Sequence, residues 1–369
     1  MPCTLRSLVA LGLALVCTGA FAQRIRPART GFDTAYVHDY SHIVTGRFYL
    51  STKFNRMRLG GSAGFRDLLY LPNNKFNFGF GASYRALTLN IGVGIPVLNR
   101  DQDRYGTTKY IDAQANLYTK RWATNLFLQR FSGYYIGSHT KAEIGFIQPT
   151  EFPTRRDLVQ FNVGASSVHI FNNDRFSYRA SFNQDAWQRK SQGSWLLGGY
   201  ATYFQLRSDS SLVPDALSDQ FEPGLHMRRG TFWDVGPSGG YAYTLVMKEH
   251  WFITGSAVLG AGASFQRVET ETPLGERGTI AVTGPGWHAQ FRAGGGYNSE
   301  HRYFGISWNQ ENIGYLLAAT DRFSWSVGNL RVNFVQRFNR RSDRMDKGLR
   351  WFRKKVQDPL QEALPVPKE

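Results

Sequence analysis

Ser167 and His169 stand two residues apart in a stretch that alternates polar and apolar side chains, so on a strand they share one face. A serine hydroxyl acts as a nucleophile when a base lies within hydrogen-bond reach and a third group orients that base. The spacing names no orienting acid, so the pair is a candidate for a lipid-modifying hydrolase on the wall of a membrane protein and for nothing more specific. His38 and His42, four apart with Asp33 and Asp39 nearby, have the side-chain types of a metal site. They sit in a polar N-terminal stretch and are read as incidental; no metal and no cofactor is expected. There is no His-Glu-x-x-His pair and no Gly-x-x-x-x-Gly-Lys loop. The Gly-rich pieces at 260–263 and 294–296 lie within strand patterns and are read as permitting tight curvature rather than cradling phosphate.

A second set has a different chemistry. Arg47, Lys53, Arg85, Arg179, Arg292 and Arg331 all fall on the polar face of alternating segments. Charged groups ringing the inside of a pore select for solutes of opposite sign, so these residues are the candidate ligand-facing set for anionic solutes. The competing reading is a filled interior in which they pair with Asp112, Asp185 and their polar neighbours.

Strands must position such a set, because successive side chains of a strand point to opposite faces. In 47–55, Phe48, Leu50, Thr52 and Phe54 share one face and Arg47, Tyr49, Ser51, Lys53 and Asn55 the other. The same two-residue period runs through 76–85, 87–94, 111–118, 122–128, 160–166, 176–183, 287–293 and 329–338. An aromatic apolar face opposite a polar, basic one is the pattern of a barrel wall facing lipid. A soluble sandwich would bury its apolar face against a second layer. Connections alternate between short turns, such as 72–74 and 172–174, and long polar stretches at 97–109, 132–156, 208–231 and 267–286. The rhythm slips a phase between 186 and 231.

The chain ends and the composition bound the rest. Arg6, the apolar run Leu8–Val16 and Ala20-Phe21-Ala22 have the layout of a cleavable secretory signal over residues 1–22. Both cysteines, Cys3 and Cys17, lie inside it, so neither disulfides nor cysteine metal sites are available beyond it. The net charge is +16 and Arg6 is the only charge in the signal, so the excess of base stays with the mature chain. Anionic partners are expected: outer-membrane lipids, lipopolysaccharide and acidic solutes, with nucleic acid disfavoured by export. Mean hydropathy is −0.37, so any crossing of a membrane uses strands.

We therefore expect an all-β protein, an antiparallel transmembrane β-barrel of about 12 to 14 strands over 44–338, preceded by an N-terminal segment at 23–43. A 22-stranded transporter with a plug needs more residues than the chain has. The basic tail at 339–369 has Met345, Leu349, Phe352 and Val356 at helical spacing; an amphipathic helix on the inner leaflet and a solvated tail are both open.

Several short segments, in order, resemble a known family. They are Asp33-Thr34-Ala35-Tyr36-Val37, Tyr70-Leu71-Pro72-Asn73 running into 79–84, Gly133-Tyr134-Tyr135, and 188–194. Together they resemble domain of unknown function 4421, outer-membrane barrels of Bacteroides-type bacteria. The resemblance implies a barrel in the envelope and carries no catalytic residue with it. The function expected is that of a non-enzymatic outer-membrane barrel, either a pore for anionic solutes or a structural or surface-binding barrel. A lipid-modifying outer-membrane hydrolase is the alternative.

Overall fold

The computed structural model describes residues 31–73, 76–84, 87–95, 101–147, 150–316 and 322–339, with residues 27 and 347 besides. Residues 1–22, where a signal is expected, and most of the basic tail lie outside the described residues. The strands are β1 (Val37–Asp39), β2 (Thr45–Leu59), β3 (Leu68–Leu71), β4 (Phe76–Tyr84), β5 (Leu87–Gly94), β6 (Lys109–Tyr118), β7 (Trp122–Ile136), β8 (Thr154–Ile170), β9 (Ala186–Gln188), β10 (Gln192–Arg207), β11 (Met227–Met247), β12 (Trp251–Glu271), β13 (Arg277–Asn298), β14 (Arg302–Leu316) and β15 (Arg322–Arg337). Three short helices, α1 (Gln102–Tyr105), α2 (Lys141–Ile144) and α3 (Tyr178–Phe182), lie between them.

Thirteen strands form one antiparallel sheet, within the 12 to 14 expected, and β1 pairs with β9 apart from it. The sheet closes on itself: β15 pairs with β2 over its whole length, and β3 joins β2 to β7 at one end. Ten strands, β2, β3, β7, β8 and β10 to β15, make the closed ring, and β4, β5 and β6 are additional. Each strand of the ring thus has a partner on both sides, although β3 pairs with β2 and β7 over only a few residues; pairing on both sides is what a sheet in lipid requires.

The two faces follow the period of two. On β12 the outward residues from Trp251 to Phe265 are all apolar or glycine, and the next outward positions are Arg267 and Glu269. Fourteen residue steps at ~3.3 Å, tilted by ~45°, give a band about 33 Å tall, close to the ~30 Å of a bilayer core. Trp122, Trp195, Trp251 and Phe304 are exposed near the end where both chain ends of the barrel and the tight turns 119–121, 248–250 and 299–301 gather. The long connections meet at the other end.

The structure corrects four local expectations. Residues 176–183 are not a wall strand; they include α3 and lie inside the barrel with β9. Phe176, Tyr178 and Ala180 are buried, but so are Ser177, Arg179 and Ser181. Both faces of the segment are packed, so its alternation distinguishes two sides of the lumen rather than lipid from lumen. This insertion also explains the slipped rhythm after residue 186. The short turn expected at 72–74 does not join a hairpin: β3 and β4 are not paired with each other but follow one another along the same edge of β2, with Pro72 just after β3. Finally, β12 and β13 extend through most of 267–286 and turn at 272–276, while β7 and β8 shorten the connection expected at 132–156.

The lumen is filled at both ends. At the long-loop end, segment 208–226 packs Leu212, Leu217, Phe221 and Leu225 against inward residues of the wall. There Phe204 stands 5.8 Å from Phe232, 5.6 Å from Phe323 and 5.6 Å from Trp325, centroid to centroid. Each such pair contributes about 0.5–1.5 kcal/mol beyond burial. At the other end α3, β9 and residues 31–43 close the lumen through polar contacts. Arg179 donates to Asp185 Oδ2 at 2.7 Å and to Asp39 at 3.3 Å, tying α3 to the N-terminal segment. Arg337, 1% exposed, donates to the carbonyls of Gln184 (2.8 Å) and Ala186 (3.1 Å) and to Asn298 Oδ1 (2.9 Å). Arg47 donates to the Asn183 carbonyl at 2.6 Å.

Candidate functional site

Between the two plugs lies a polar chamber of about 500 Å³. Its base is Phe182 and Gln184 of the inserted segment; its sides come from β2, β4, β5, β6, β13, β14 and β15. Period two decides which side chains reach it. Tyr49, Ser51 and Lys53 are the inward residues of β2, and Asn329, Arg331 and Asn333 those of β15.

The charges there are unevenly matched. Lys53 Nζ is 2.7 Å from Asp112 Oδ2, so that pair is compensated. Arg292, 4% exposed, donates to the Tyr118 hydroxyl at 2.6 Å and lies 5.5 Å from that ring's centroid. Arg331 lies over the Tyr49 ring at 4.6 Å. Aromatic faces stabilise a cation without neutralising it. Among the described residues neither guanidinium has a carboxylate partner, and the Nε of each, with the side-chain oxygens of Asn309 and Asn333, is buried without a hydrogen-bond partner. Two guanidiniums without a salt-bridged carboxylate in one recess are groups of the kind that can hold an anion.

Hydrogen bonds tie the chamber to the aromatic plug. Trp325 Nε1 donates to Asn55 (2.8 Å), Asn55 to Gln160 (3.0 Å), Gln160 to Asn162 (2.8 Å), Asn162 to Gln129 (2.8 Å), and Gln129 to Asp112 (2.8 Å). A chain whose members are satisfied end to end fixes Asp112, and through it Lys53, in one position. Tyr49 is fixed by space: its ring crosses Gly79, and its hydroxyl would be 2.9 Å from a Cβ placed on Gly92.

The basic residues expected from sequence thus divide. Lys53, Arg292 and Arg331 line the chamber. Arg47 and Arg179 hold the inserted segment; Arg179 is on α3, not on a wall strand. Burial alone would lower the Arg179 pKa, and Asp185 and Asp39 outweigh that and raise it. Arg85 lies outside the described residues. Tyr49, Tyr118 and Arg337 were not singled out by sequence, although Arg337 and Arg331 share one face of β15.

Ser167 and His169 both point outward from β8. The Ser167 hydroxyl is 2.7 Å from that of Thr124, and the His169 ring stands edge-on to Trp122 and Phe171. No base is hydrogen-bonded to Ser167 and no carboxylate to His169 among the described residues, so the arrangement a hydrolase needs is not assembled there. Two Gly-x-Ser-x-Gly pentapeptides, 60–64 and 236–240, put Ser62 in a loop and Ser238 in mid-strand, away from the strand-to-helix turn that gives the spacing its chemistry. His38 packs against Trp187, 5.5 Å between centroids, and no metal-ligating cluster occurs among the described residues.

The family model for the domain of unknown function DUF4421 matches residues 32–338. The chain belongs to this family. Its match spans the barrel and the N-terminal segment that plugs it. No curated protein matches the sequence. Among solved structures, it is similar to the outer membrane protease OmpT of Escherichia coli at 10% identity and a TM-score of 0.32, over 81% of this chain and 98% of that one. It is also similar to the toluene transporter TodX of Pseudomonas putida, at 9% identity and a TM-score of 0.24, over 80% and 90%. A FadL homologue of Pseudomonas aeruginosa aligns at 8% identity and a TM-score of 0.21, over 80% and 90%.

Proposed function

We propose that this DUF4421 protein is an exported outer-membrane β-barrel that binds an anionic solute in its interior chamber and does not act as an open diffusion pore. The observation that carries the reading is the pair of buried Arg292 and half-buried Arg331 in one recess, neither with a carboxylate partner among the described residues. Location rests on the closed wall with its apolar band about 33 Å tall and on the signal layout of residues 1–22. Closure at both ends favours binding over passage, because a through-path would have to cross either the Phe204 cluster or the Arg179 and Arg337 contacts.

Planar bilayers test the distinction. Reconstituted wild type should leave the membrane silent, and steady anion-preferring conductance would overturn the closed chamber. Membrane fractionation and heat-modifiable gel mobility test the location; recovery as a soluble protein would overturn it.

A further inference from the structure

The ring of ten strands is closed by β3 only near the long-loop end. Below it the wall between β2 and β7 is made by β4, β5 and β6. β4 pairs with β2, β5 with β4, and β6 with β7. Among the described residues no ladder joins β5 to β6. The wall therefore has a seam, and both strands bordering it line the chamber: Ile91 and Gly92 from one side, Tyr110, Asp112 and Gln114 from the other.

Exposure along β6 agrees with an open edge. On β12 the inward side chains at Thr254, Ser256 and Val258 are buried. On β6 the outward Ile111 and Ala113 and the inward Gln114 and Asn116 are all exposed. Across the seam Ile91 is 76% exposed. Unpaired backbone edges at membrane depth are tolerated only where they line a water-filled cavity or are covered.

A second cavity meets the first at this edge. An apolar depression of about 1040 Å³ runs along the outer wall from Ala113 and Ala115 past Leu126, Val163 and Ala201 towards Trp233. Asp112 and Gln114 line both it and the polar chamber. A cationic recess inside the wall and a greasy trough outside it thus share one strand edge.

We propose that the β5–β6 seam is a lateral portal through which the barrel takes an anionic amphiphile. Its headgroup binds Arg331 and Arg292, and its alkyl chain passes between Ile91 and Gln114 into the outer trough. This rests on the anion-chamber reading and adds the ligand class and the route. Small outward residues at 113 and 115 leave room for a chain where larger ones would fill the wall.

The test uses the full barrel in phosphatidylcholine nanodiscs, with two probes. Inorganic phosphate reports the chamber alone. Dodecyl phosphate with a diazirine at the chain terminus reports where the chain lies, by photolabelling and peptide mapping. The portal predicts labels concentrated on 91–93, 111–117 and 126–128, reduced at least tenfold in Arg331→Met, and blocked by Ala115→Trp while inorganic phosphate still binds. Labels spread evenly around the wall and indifferent to Arg331→Met, with phosphate binding intact, would overturn the portal and leave the chamber standing. No phosphate binding by wild type would overturn both. Heat-modifiable mobility confirms that each variant is folded, and Arg292→Met provides a second chamber variant should Arg331→Met not fold.

Discussion

Arg179 offers the sharpest test of how the inserted segment is held. Its guanidinium bridges Asp185 at 2.7 Å and Asp39 at 3.3 Å, and both carboxylates are 1% exposed. Arg179→Met keeps the apolar stem and removes the charge, leaving two buried carboxylates facing each other. Breaking a buried pair from one side costs about 3–5 kcal/mol, most of it the penalty of the charge left behind. At about 1.4 kcal/mol per tenfold, the population with residues 31–43 and 171–191 released rises by roughly 10² to 10³ or more. The assay is trypsin cleavage at Arg189 and Lys190 in the folded, detergent-solubilised barrel, where cleavage of a transiently opened segment follows its equilibrium population. The wall is held by its own ladders, so gel mobility should stay that of a folded barrel. Adding Asp39→Asn and Asp185→Asn to Arg179→Met removes both stranded charges and should restore at least half of the lost protection on a logarithmic scale. Less than a threefold change in cleavage for Arg179→Met, or no recovery in the triple variant, would refute the role given to this cluster.

Two further outcomes follow from other parts of the molecule. Gly79→Ala puts a Cβ into the Tyr49 ring and 2.5 Å from the Ile91 carbonyl oxygen; overpacking of this kind costs about 1–3 kcal/mol, so the urea midpoint for refolding should fall, and an unchanged midpoint would contradict the placement of Tyr49. His38 has its pKa lowered from 6.5 by burial first and by Arg189 second, so the closed segment prefers the neutral ring and the opened one takes up the proton. Protection of residues 31–43 should be complete above pH 6.5 and decline as pH falls below it, and His38→Gln should flatten that decline; a wild-type profile flat from pH 7.5 to 5 would contradict the burial of His38.

The wall was legible in the sequence because a barrel strand has one apolar and one polar face, and Phe48, Leu50 and Phe54 against Arg47, Tyr49 and Lys53 show it without reference to the rest of the chain. The inserted segment was not, because Phe176, Tyr178 and Phe182 alternate as a wall strand does although the segment lies inside the barrel, with Phe176 and Tyr178 buried and Phe182 at the base of the chamber. A five-residue helix such as α3 is too short for a helical period to show. The basic character of the interior was also readable, since Lys53, Arg292 and Arg331 all fall on polar faces. Part of what these arginines do depends on distant partners: Arg47 finds Asn183, and Arg179, besides Asp185 six residues on, finds Asp39, at separations of 136 and 140 residues. No local pattern encodes those meetings. The seam was hidden for a related reason, because β5 and β6 both alternate as proper strands and only the pairing reveals that one edge of each lacks a partner among the described residues.

Equilibrium binding of inorganic phosphate to the purified barrel, measured by titration calorimetry on wild type and Arg331→Met, tests the chamber most directly. Loss of a charge-assisted contact of about 1.5–3 kcal/mol corresponds to a roughly 10- to 150-fold weaker affinity. The chamber predicts saturable binding at one site in wild type and at least a tenfold loss in the variant; no saturable binding, or equal affinity in the two proteins, would contradict it.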